Sequence, residues 1–358
     1  MSKVRVLIVD DSALVRGVLA EVFAADGGIE VVGAAPNPVA AMQMIATRRP
    51  DVLTLDIEMP QMDGLTFLSR LMRTSPLPVV MLSSLTESGC EATLRALELG
   101  AVDYAAKPKL DVRAGTIEKA AEIVAKVKAA ARARPRQPGM ASHRSGEPPP
   151  GDVDTGRVVA IGASTGGTEA LRAVLSALPA GSPGIVIVQH MPAHFTRPFA
   201  ERLDQASRIR VAEASDGDRL EPGRALVAPG GRHMELVRTG NGCYRVLLTD
   251  SDAVSLHKPS VDVLFRSCAR AAGGKAVGVI LTGMGSDGAR GLLEMSRAGA
   301  RTIAQDEATS VVFGMPREAI ALGAVDHVVP LERAAEAILR CCAGPARQVC
   351  SSIPASGR

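Results

Sequence analysis

Apolar and polar positions in the first third of the chain form short apolar runs separated by longer helical patterns. Runs of β-branched and aliphatic residues predict buried strands, and apolar residues at helical spacing predict helices between them. Strands are predicted at residues 4–9, 30–33, 52–55, 79–82 and 102–105, with helices at 12–25, 38–48, 64–73 and 88–99. Five such β/α units predict an α/β domain with a doubly wound, five-stranded parallel sheet over residues 1–122.

The pattern changes beyond residue 110. A helical pattern over residues 111–134 precedes a stretch rich in Pro, Gly, Ser and charge, which predicts a helical extension and flexible linker over 123–156. A second, mainly parallel α/β domain is predicted over 157–343, and a disordered tail over 344–358. Its strands are predicted at 158–161, 185–189, 209–212, 225–228 and 276–282, its β-hairpin at 233–248, and its helices at 168–178, 195–206, 260–272, 287–298 and 331–341.

Ser164 lies in an abrupt strand-to-helix turn that reads G-A-S-T-G-G. This spelling satisfies the G-x-S-x-G pattern in which a serine nucleophile is exposed at the carboxyl edge of a sheet. A phosphate cradle and a plain tight turn are the alternatives. A dinucleotide site is excluded, because G-x-G-x-x-G places glycine where Ser164 stands.

A serine nucleophile needs a base and a group that orients the base. The histidines outside the linker are His190, His194, His233, His257 and His327. His190 ends the predicted strand at 185–189 and therefore projects at the same edge as Ser164. Asp287 follows another strand in a glycine-rich turn, whose N–H groups can donate to an oxyanion. The alternative for Asp287 is a helix N-cap.

Polar residues also collect at the strand ends of the first domain. Asp10, Asp11 and Asp56 follow predicted strands, and three converging carboxylates repel one another unless a cation neutralises them. Oxygen ligands of this kind suit Mg²⁺. Ser83 and Lys107 follow two further strands and are placed to hold a phosphoryl group on Asp56. The alternative is a set of solvated acidic loop ends.

Composition narrows the function classes. A net charge of +3, 2% aromatic residues and the absence of Trp argue against a nucleic-acid partner. There is no run of 18 apolar residues, and acidic residues interrupt the first apolar run, so neither membrane insertion nor a signal peptide is predicted. The six cysteines lack metal-ligand spacing and are typical of reduced thiols. We expect a cytoplasmic monomer.

The motifs I-V-D-D-S and L-D-I-E-M-P-x-M-D-G, the position of Ser83 and the K-P dipeptide resemble those of response-regulator receiver domains, which have a flavodoxin-like fold. The resemblance implies that Asp56 accepts a phosphoryl group from a histidine kinase. It also implies that Ser83 is the switch hydroxyl and that Lys107 contacts the phosphoryl group. The implied Mg²⁺ ligands are Asp10, Asp11, Asp56 and the backbone carbonyl of Glu58.

The second domain carries G-A-S-T-G-G, Q-H-M-P-x-x-F-T, A-P-G-x-x-H-M, H-K-P-S-V-D-V-L-F, L-T-G-M-G-x-D-G and F-G-M-P. These motifs resemble the Rossmann-like methylesterase domain of chemotaxis response regulators. The resemblance implies Ser164 as nucleophile, His190 as general base, Asp287 as its orienting acid, Thr165 beside the nucleophile and the Met284 N–H as an oxyanion donor.

The same resemblance implies hydrolysis of γ-methyl glutamate esters on methyl-accepting chemoreceptors, with release of methanol, and deamidation of receptor glutamines. The ester chemistry needs no cofactor, and the implied phosphodonor is the chemotaxis histidine kinase. Two alternatives are a binding module in which Ser164 is structural and a transcriptional regulator. The second half is large and α/β, without a basic recognition helix, which disfavours the regulator.

Overall fold

The computed structural model describes residues 3–83, 87–107, 115–133 and 153–343. They divide into two compact units, within residues 1–143 and 144–358. The first unit contains β1 (Val4–Val9), α1 (Ala13–Ala24), β2 (Ile29–Ala35), α2 (Pro38–Arg48), β3 (Val52–Asp56), α3 (Gly64–Thr74), β4 (Val79–Ser83), α4 (Glu87–Glu98), β5 (Asp103–Ala106) and α5 (Gly115–Ala130).

The sheet of the first unit has the strand order β2-β1-β3-β4-β5, and every neighbouring pair is parallel. The predicted doubly wound, five-stranded sheet is thus confirmed. The first three helices begin where a short polar side chain accepts a hydrogen bond from an N–H three residues on, which is the usual N-cap arrangement. These caps are Ser12, Asn37 and Asp63.

Helix α5 packs on this sheet and continues past residue 122. Ile123 and Val127 are fully buried. The ammonium of Lys126 donates to the carbonyl of Tyr104 (2.7 Å), and Lys128 pairs with Asp26 (2.6 Å). Of the helical pattern predicted over 111–134, residues 115–130 therefore form a helix of the first unit, and residues 111–114 lie outside the described residues. Residues 134–152 of the predicted linker and the predicted tail at 344–358 lie outside the described residues.

The second unit is larger and is built on a parallel sheet. Its elements are β6 (Val158–Ala163), α6 (Gly167–Ala177), β7 (Gly184–Gln189), α7 (Ala193–Ala206), β8 (Arg210–Glu213), β9 (Arg219–Leu220), β10 (Arg224–Val227), β11 (His233–Arg238), β12 (Tyr244–Thr249), α8 (Val261–Ala272), β13 (Ala276–Ile280), α9 (Ala289–Arg297), β14 (Arg301–Gln305), α10 (Met315–Ala321), β15 (His327–Val329) and α11 (Ala334–Ala343). Two 3-10 turns lie at Gly273–Lys275 and Leu331–Arg333.

Seven strands form the main sheet in the order β15-β14-β13-β6-β7-β10-β8, all parallel. The hairpin β11-β12 joins β9 in a small antiparallel sheet, so the predicted parallel α/β fold with a hairpin is confirmed. Strand β6 is central, with β7 and β13 beside it. The carboxyl ends of these three strands meet at one edge, where ligands bind in open parallel sheets. None of the helices in the described ranges is long and apolar enough to cross a membrane.

Candidate functional site

Ser164 lies in the three-residue turn between β6 and α6. Its N–H donates to the carbonyl of Thr282 (3.0 Å), and its carbonyl accepts from the N–H of Gly167 (2.7 Å). Gly166 has a φ of 75°, and a Cβ there would lie 2.6 Å from the Cβ of Val311. Only glycine fits both this left-handed backbone and this close approach. The turn leaves Ser164 half-buried at the carboxyl end of the central strand.

Polar side chains of neighbouring strands hold the backbone of this turn. The side-chain amide of Gln189, at the end of β7, donates to the carbonyl of Ser164 (2.9 Å). On the other side, the Thr282 hydroxyl donates to the carbonyl of Thr165 (2.9 Å), and the Thr282 N–H donates to the Gln305 side chain (2.8 Å). Sequence reasoning missed these supports, since an amide or hydroxyl beside an apolar strand forms no motif of its own.

His190 follows β7 and is hydrogen-bonded to Asp287, with Nε2 lying 2.8 Å from Oδ2. Both side chains are more than nine-tenths buried, with exposed fractions of 8% and 1%. Because Nε2 carries the proton in this bond, Nδ1 holds the lone pair of the neutral ring. Within the described part of the chain, Nδ1 has no hydrogen-bond partner. It is therefore the nitrogen available to act as a base.

Ser164 and His190 lie at the ends of adjacent strands. Ala163 and Gln189, the residues just before them, are register partners in the β6–β7 pair, and the His190 N–H donates to the Ala163 carbonyl (3.1 Å). The structure brings His190 and Asp287 into direct contact, but no hydrogen bond joins Ser164 Oγ to His190 Nδ1. Bonds of this kind are often formed only when the substrate is present.

The carboxylate of Asp287 accepts four hydrogen bonds. The donors are His190 Nε2 (2.8 Å), Ser260 Oγ (2.8 Å), Val261 N (2.7 Å) and Asp262 N (3.1 Å). The two backbone donors open α8, so the carboxylate lies against the positive end of that helix. Burial pushes the pKa of Asp287 upward, but the bond and charge of His190 and the bonds from Ser260 and Val261 hold it below its ordinary value. Asp287 is therefore ionised at neutral pH.

The alternative role considered for Asp287, as N-cap of the helix that follows it, is not observed. That helix, α9, has Gly288 as its N-cap, with a φ of 90° and no side-chain cap hydrogen bond. Asp287 instead accepts from the first residues of α8, which belongs to a different β/α connection. The glycine-rich turn thus directs the carboxylate away from its own helix and toward His190.

The other histidines occupy different environments. His194 is exposed on α7, and His327 is exposed on the edge strand β15. His233 is fully buried, where Nδ1 accepts from the N–H of Ser260 (3.1 Å) and Nε2 donates to a backbone carbonyl (3.0 Å). His257 is half-buried, with its ring stacked on that of His190. Of these candidates, His190 is the one that the structure shows hydrogen-bonded to the buried carboxylate of Asp287.

The turn from Gly283 to Gly288 faces Ser164. A Cβ on Gly283 would lie 2.9 Å from the Cβ of Ser164 and 2.2 Å from the sulfur of Met315, so a larger residue does not fit there. The Met284 N–H has no acceptor among the described residues. A backbone donor without an acceptor, in a turn that approaches Ser164, has the properties needed to bind an oxyanion.

The first unit gathers three carboxylates at the ends of β1 and β3. One oxygen from each of Asp10, Asp11 and Asp56 lies within 4.8 Å of the others, and Asp10 and Asp56 are buried. Hard oxygen donors converging in this way fit Mg²⁺. The Lys107 ammonium lies 2.7 Å from Asp56 and 3.3 Å from Asp10. Glu58 donates its N–H to Asp56 (3.2 Å).

Burial and neighbouring charges have opposing effects on the pKa values of Asp56 and Lys107 in this cluster. Burial raises the pKa of Asp56 above its ordinary value, and the charge of Asp10 adds to this, although the bond to Lys107 acts in the opposite direction. Burial alone disfavours the Lys107 ammonium, yet its contacts with both carboxylates raise the pKa of Lys107. A divalent cation at this point would offset the remaining negative charge.

Ser83 ends β4 and is fully buried, where its hydroxyl contacts helix α4. The Ser83 and Thr93 hydroxyl oxygens are 2.8 Å apart, and the Thr93 hydroxyl donates to the carbonyl of Gly89 (2.6 Å). The predicted switch hydroxyl is thus connected to α4 by a side chain that sequence reasoning did not single out. A threonine inside a helical pattern gives no signal of that contact.

Comparison with known proteins matches both units. Residues 159–338 match the family model described as CheB methylesterase, and residues 6–116 match the response regulator receiver domain. The chain is 59% identical over 344 residues to a protein-glutamate methylesterase/protein-glutamine glutaminase of Bordetella bronchiseptica, covering 95% of this chain and 97% of the relative. The chain belongs to the CheB methylesterase family. Both resemblances inferred from the motifs are thereby confirmed.

Further members of the CheB methylesterase family give the same result. A protein-glutamate methylesterase/protein-glutamine glutaminase 2 of Pseudomonas aeruginosa is 56% identical over 337 residues, covering 94% of this chain and 96% of that protein. The crystal structure of the Thermotoga maritima CheB methylesterase catalytic domain matches with a TM-score of 0.50 and 39% identity, over 51% of this chain and 97% of that one. Ser164, His190 and Asp287 all lie in the matched CheB methylesterase range.

Proposed function

We propose that this chain is a protein-glutamate methylesterase and protein-glutamine glutaminase that acts on methyl-accepting chemoreceptors under the control of receiver phosphorylation. Relatives that are 56–59% identical to it carry this activity in their names, and the resemblance extends over nearly the whole chain. The single observation that carries the proposal is the buried His190–Asp287 hydrogen bond at the strand end next to Ser164. A binding module with a structural Ser164 has no need of an ionised acid that orients a histidine.

In the proposed reaction, the Ser164 hydroxyl attacks the carbonyl carbon of a γ-methyl glutamate ester. His190 takes the hydroxyl proton at Nδ1, and the resulting imidazolium is stabilised by the ionised Asp287 through Nε2–H. The oxyanion accepts a hydrogen bond from the Met284 N–H. His190 then returns the proton to the methoxide as the bond to carbon breaks, so methanol leaves.

Water completes the cycle. It attacks the acyl-enzyme while His190 again accepts a proton, and breakage of the acyl bond restores the Ser164 hydroxyl and leaves a free glutamate carboxylate. With a glutamine side chain the same steps release ammonia in place of methanol. The reaction is a hydrolysis without a change of oxidation state, in which His190 accepts and returns the protons and the Met284 N–H stabilises the oxyanion.

For the receiver, we propose Asp56 as the phospho-acceptor for a chemotaxis histidine kinase. Asp10, Asp11, Asp56 and the Glu58 carbonyl would hold Mg²⁺, which when bound neutralises charge at the phosphoryl oxygens. The Lys107 ammonium contacts Asp56 and is placed to pair with a phosphoryl oxygen. Ser83 would then turn from α4 toward the phosphoryl group. The expected setting is the cytoplasm, where both the kinase and the methylated receptor helices are accessible.

The decisive experiment measures methanol release from methylated receptor membranes by the full-length chain and by Ser164→Ala. The wild type should release methanol, and the variant should fall to background, since it lacks the attacking oxygen. A small phosphodonor with Mg²⁺ should stimulate the wild type and leave Asp56→Asn at its basal rate. Equal rates for wild type and Ser164→Ala would contradict the proposal.

A further inference from the structure

His257 forms a close aromatic contact with the proposed catalytic base. The ring centroids of His257 and His190 are 3.7 Å apart, and the two rings are inclined by 12°. This is a face-to-face stack at van der Waals distance. The His190 side chain is more than nine-tenths buried, and the His257 ring covers one of the two faces of its imidazole.

The backbone around His257 is held in an unusual conformation. Val254 and His257 exchange two backbone hydrogen bonds (3.1 and 2.9 Å), which closes a two-residue turn. The turn residues Ser255 and Leu256 have φ values of 54° and 67°, a region that costs a non-glycine residue roughly 1–2 kcal/mol. Strain of this kind persists where the surrounding structure over-determines it, and it is common at functional sites.

The chain after this turn leads directly to Asp287. The Lys258 carbonyl accepts from the N–H of Gly231 (3.1 Å), and the Lys258 ammonium pairs with Asp250. Two residues further on, the Ser260 hydroxyl donates to the carboxylate of Asp287 (2.8 Å). One short segment, residues 254–260, therefore contacts both partners of the His190–Asp287 pair.

These contacts constrain the imidazole in complementary ways. The hydrogen bond to Asp287 fixes the position of Nε2, but the ring can still tilt about the line that joins Nε2 to Oδ2. A stacked ring fixes the plane and so removes this tilt. With both constraints present, the direction of the Nδ1 lone pair is fixed. Displacements of about 1 Å between reacting groups can reduce the rate by about 100-fold.

We propose that His257 is a positioning residue for the esterase reaction, which holds the ring plane of His190 so that Nδ1 points at the Ser164 hydroxyl. This inference rests on the proposed function. What His257 supplies is a flat ring at stacking distance, not a proton or a bond to substrate. A planar apolar residue at position 257 should therefore replace it, whereas a branched aliphatic residue of similar size should not.

The test uses full-length His257→Ala, His257→Phe and His257→Leu, with kcat and KM for methanol release from methylated receptor membranes. The Ala and Leu variants should lose about 10- to 100-fold in kcat with little change in KM. The Phe variant should recover most of the loss. His327→Ala, which removes an exposed histidine on the edge strand, serves as the matched control and should keep the wild-type kcat.

A ring-proton NMR signal of His190 supplies a second measurement. Stacking shifts this signal, so it should move in the Ala and Leu variants and return toward its wild-type position in the Phe variant. If the Ala variant does not fold, the Phe and Leu pair still decides the matter, since equal kcat values for these two overturn the inference. A wild-type kcat in His257→Ala overturns it as well.

Failure of the proposed function has a different signature. If the wild type releases no methanol, or Ser164→Ala is as active as the wild type, the reaction itself is absent and both proposals fall. If Ser164→Ala is inactive while all three His257 variants match the wild type, only the positioning role is wrong.

Discussion

Replacing Asp287 by asparagine tests how the acid supports both the fold and the proposed reaction. In the wild type, Oδ2 accepts from His190 and Val261. Oδ1 accepts from Ser260 and Asp262. Asparagine offers one oxygen and one NH₂. Placed at Oδ2, the NH₂ would oppose two N–H donors, but at Oδ1 it meets one N–H and a hydroxyl that can turn to accept. The second orientation is preferred, so the bond from His190 Nε2–H is kept.

The loss of stability follows from these contacts. The Asp262 N–H loses its acceptor, which costs about 1–3 kcal/mol, and the remaining bonds lose their charge-assisted character. Relief of burying the Asp287 charge offsets part of this. We expect a net loss of about 2–3 kcal/mol in the free energy of unfolding. In a unit of this size, that lowers Tm by roughly 4–12 °C.

The rate falls because the imidazolium of His190 loses its counter-charge. A unit charge about 4 Å away in a partly polar protein site contributes about 4 kcal/mol, so kcat should fall by roughly 10²- to 10³-fold. This is less than the roughly 10⁴-fold loss in a serine protease in which the same substitution also produces the wrong tautomer. Here Nε2 keeps its proton, and Nδ1 remains the base.

The assay combines methanol release with thermal unfolding of wild type, Asp287→Asn and Asp262→Asn. Asp262 is the matched control, because its buried carboxylate accepts from the Gly291 N–H (2.7 Å) and lies near Arg266 instead of His190. Burial raises the pKa of Asp262, and the charge of Asp287 adds to this. Removal of the Asp262 charge in Asp262→Asn should leave kcat close to the wild-type value. Equal losses in both variants, or a wild-type kcat in Asp287→Asn, would refute the reasoning.

The loss of stability in Asp287→Asn should depend on pH. The pKa of Asp287 is lower in the folded protein than its ordinary value, so the folded state favours the carboxylate. The stability that this charge contributes is present above the unfolded pKa, which is about 3.9, and is lost as pH falls below it. The difference in unfolding free energy between wild type and Asp287→Asn should therefore shrink in acid.

Ser164→Ala should abolish methanol release while changing the unfolding free energy by only about 0.5 kcal/mol, as measured by thermal melting. Gly166→Ala should lower stability by about 1–3 kcal/mol and impair the esterase, because it strains the φ of 75° and overlaps Val311. Asp56→Asn should raise the stability of the receiver at neutral pH without Mg²⁺, because burial raises the pKa of Asp56 and the folded state disfavours its charge. This gain should vanish as denaturation is repeated at a pH below the unfolded pKa of the carboxyl group.

Much of the fold could be predicted because its central strands are apolar runs separated by segments with helical spacing. Strand β14 could not, since Arg301 and Thr302 open it and Gln305 ends it, and these residues give it a polar spelling. The polarity has a structural cause, because Thr302 exchanges hydrogen bonds with Asp326 and Gln305 binds the N–H of Thr282. Helix α10 and edge strand β15 were missed because both are short.

In the candidate site, too, some features could be predicted from the sequence and others could not. Chain order placed Ser164, His190 and Asp287 at strand ends on one edge of the sheet, because parallel strands all end at the same edge. It did not show which imidazole nitrogen meets the carboxylate, that Asp287 lies at the start of α8, or that His257 stacks on His190. These features depend on loops that cross between β/α units, where local sequence does not determine the distance.

The hydrogen bonds around Ser83 contribute to the energetic cost of moving this side chain toward Asp56. A hydroxyl donates one proton, so Thr93 can donate to Gly89 while it accepts from Ser83. When Ser83 turns toward Asp56, Thr93 keeps its acceptor and no buried donor is stranded. The turn gives up the contacts of Ser83 with the Thr93 hydroxyl (2.8 Å) and the Gly89 carbonyl (3.3 Å), and each hydrogen bond lost costs about 1 kcal/mol, a factor of about 5 in population. The interaction of Ser83 with a phosphoryl group must therefore exceed the loss of these bonds, which links the side chain at position 93 to the response of the receiver.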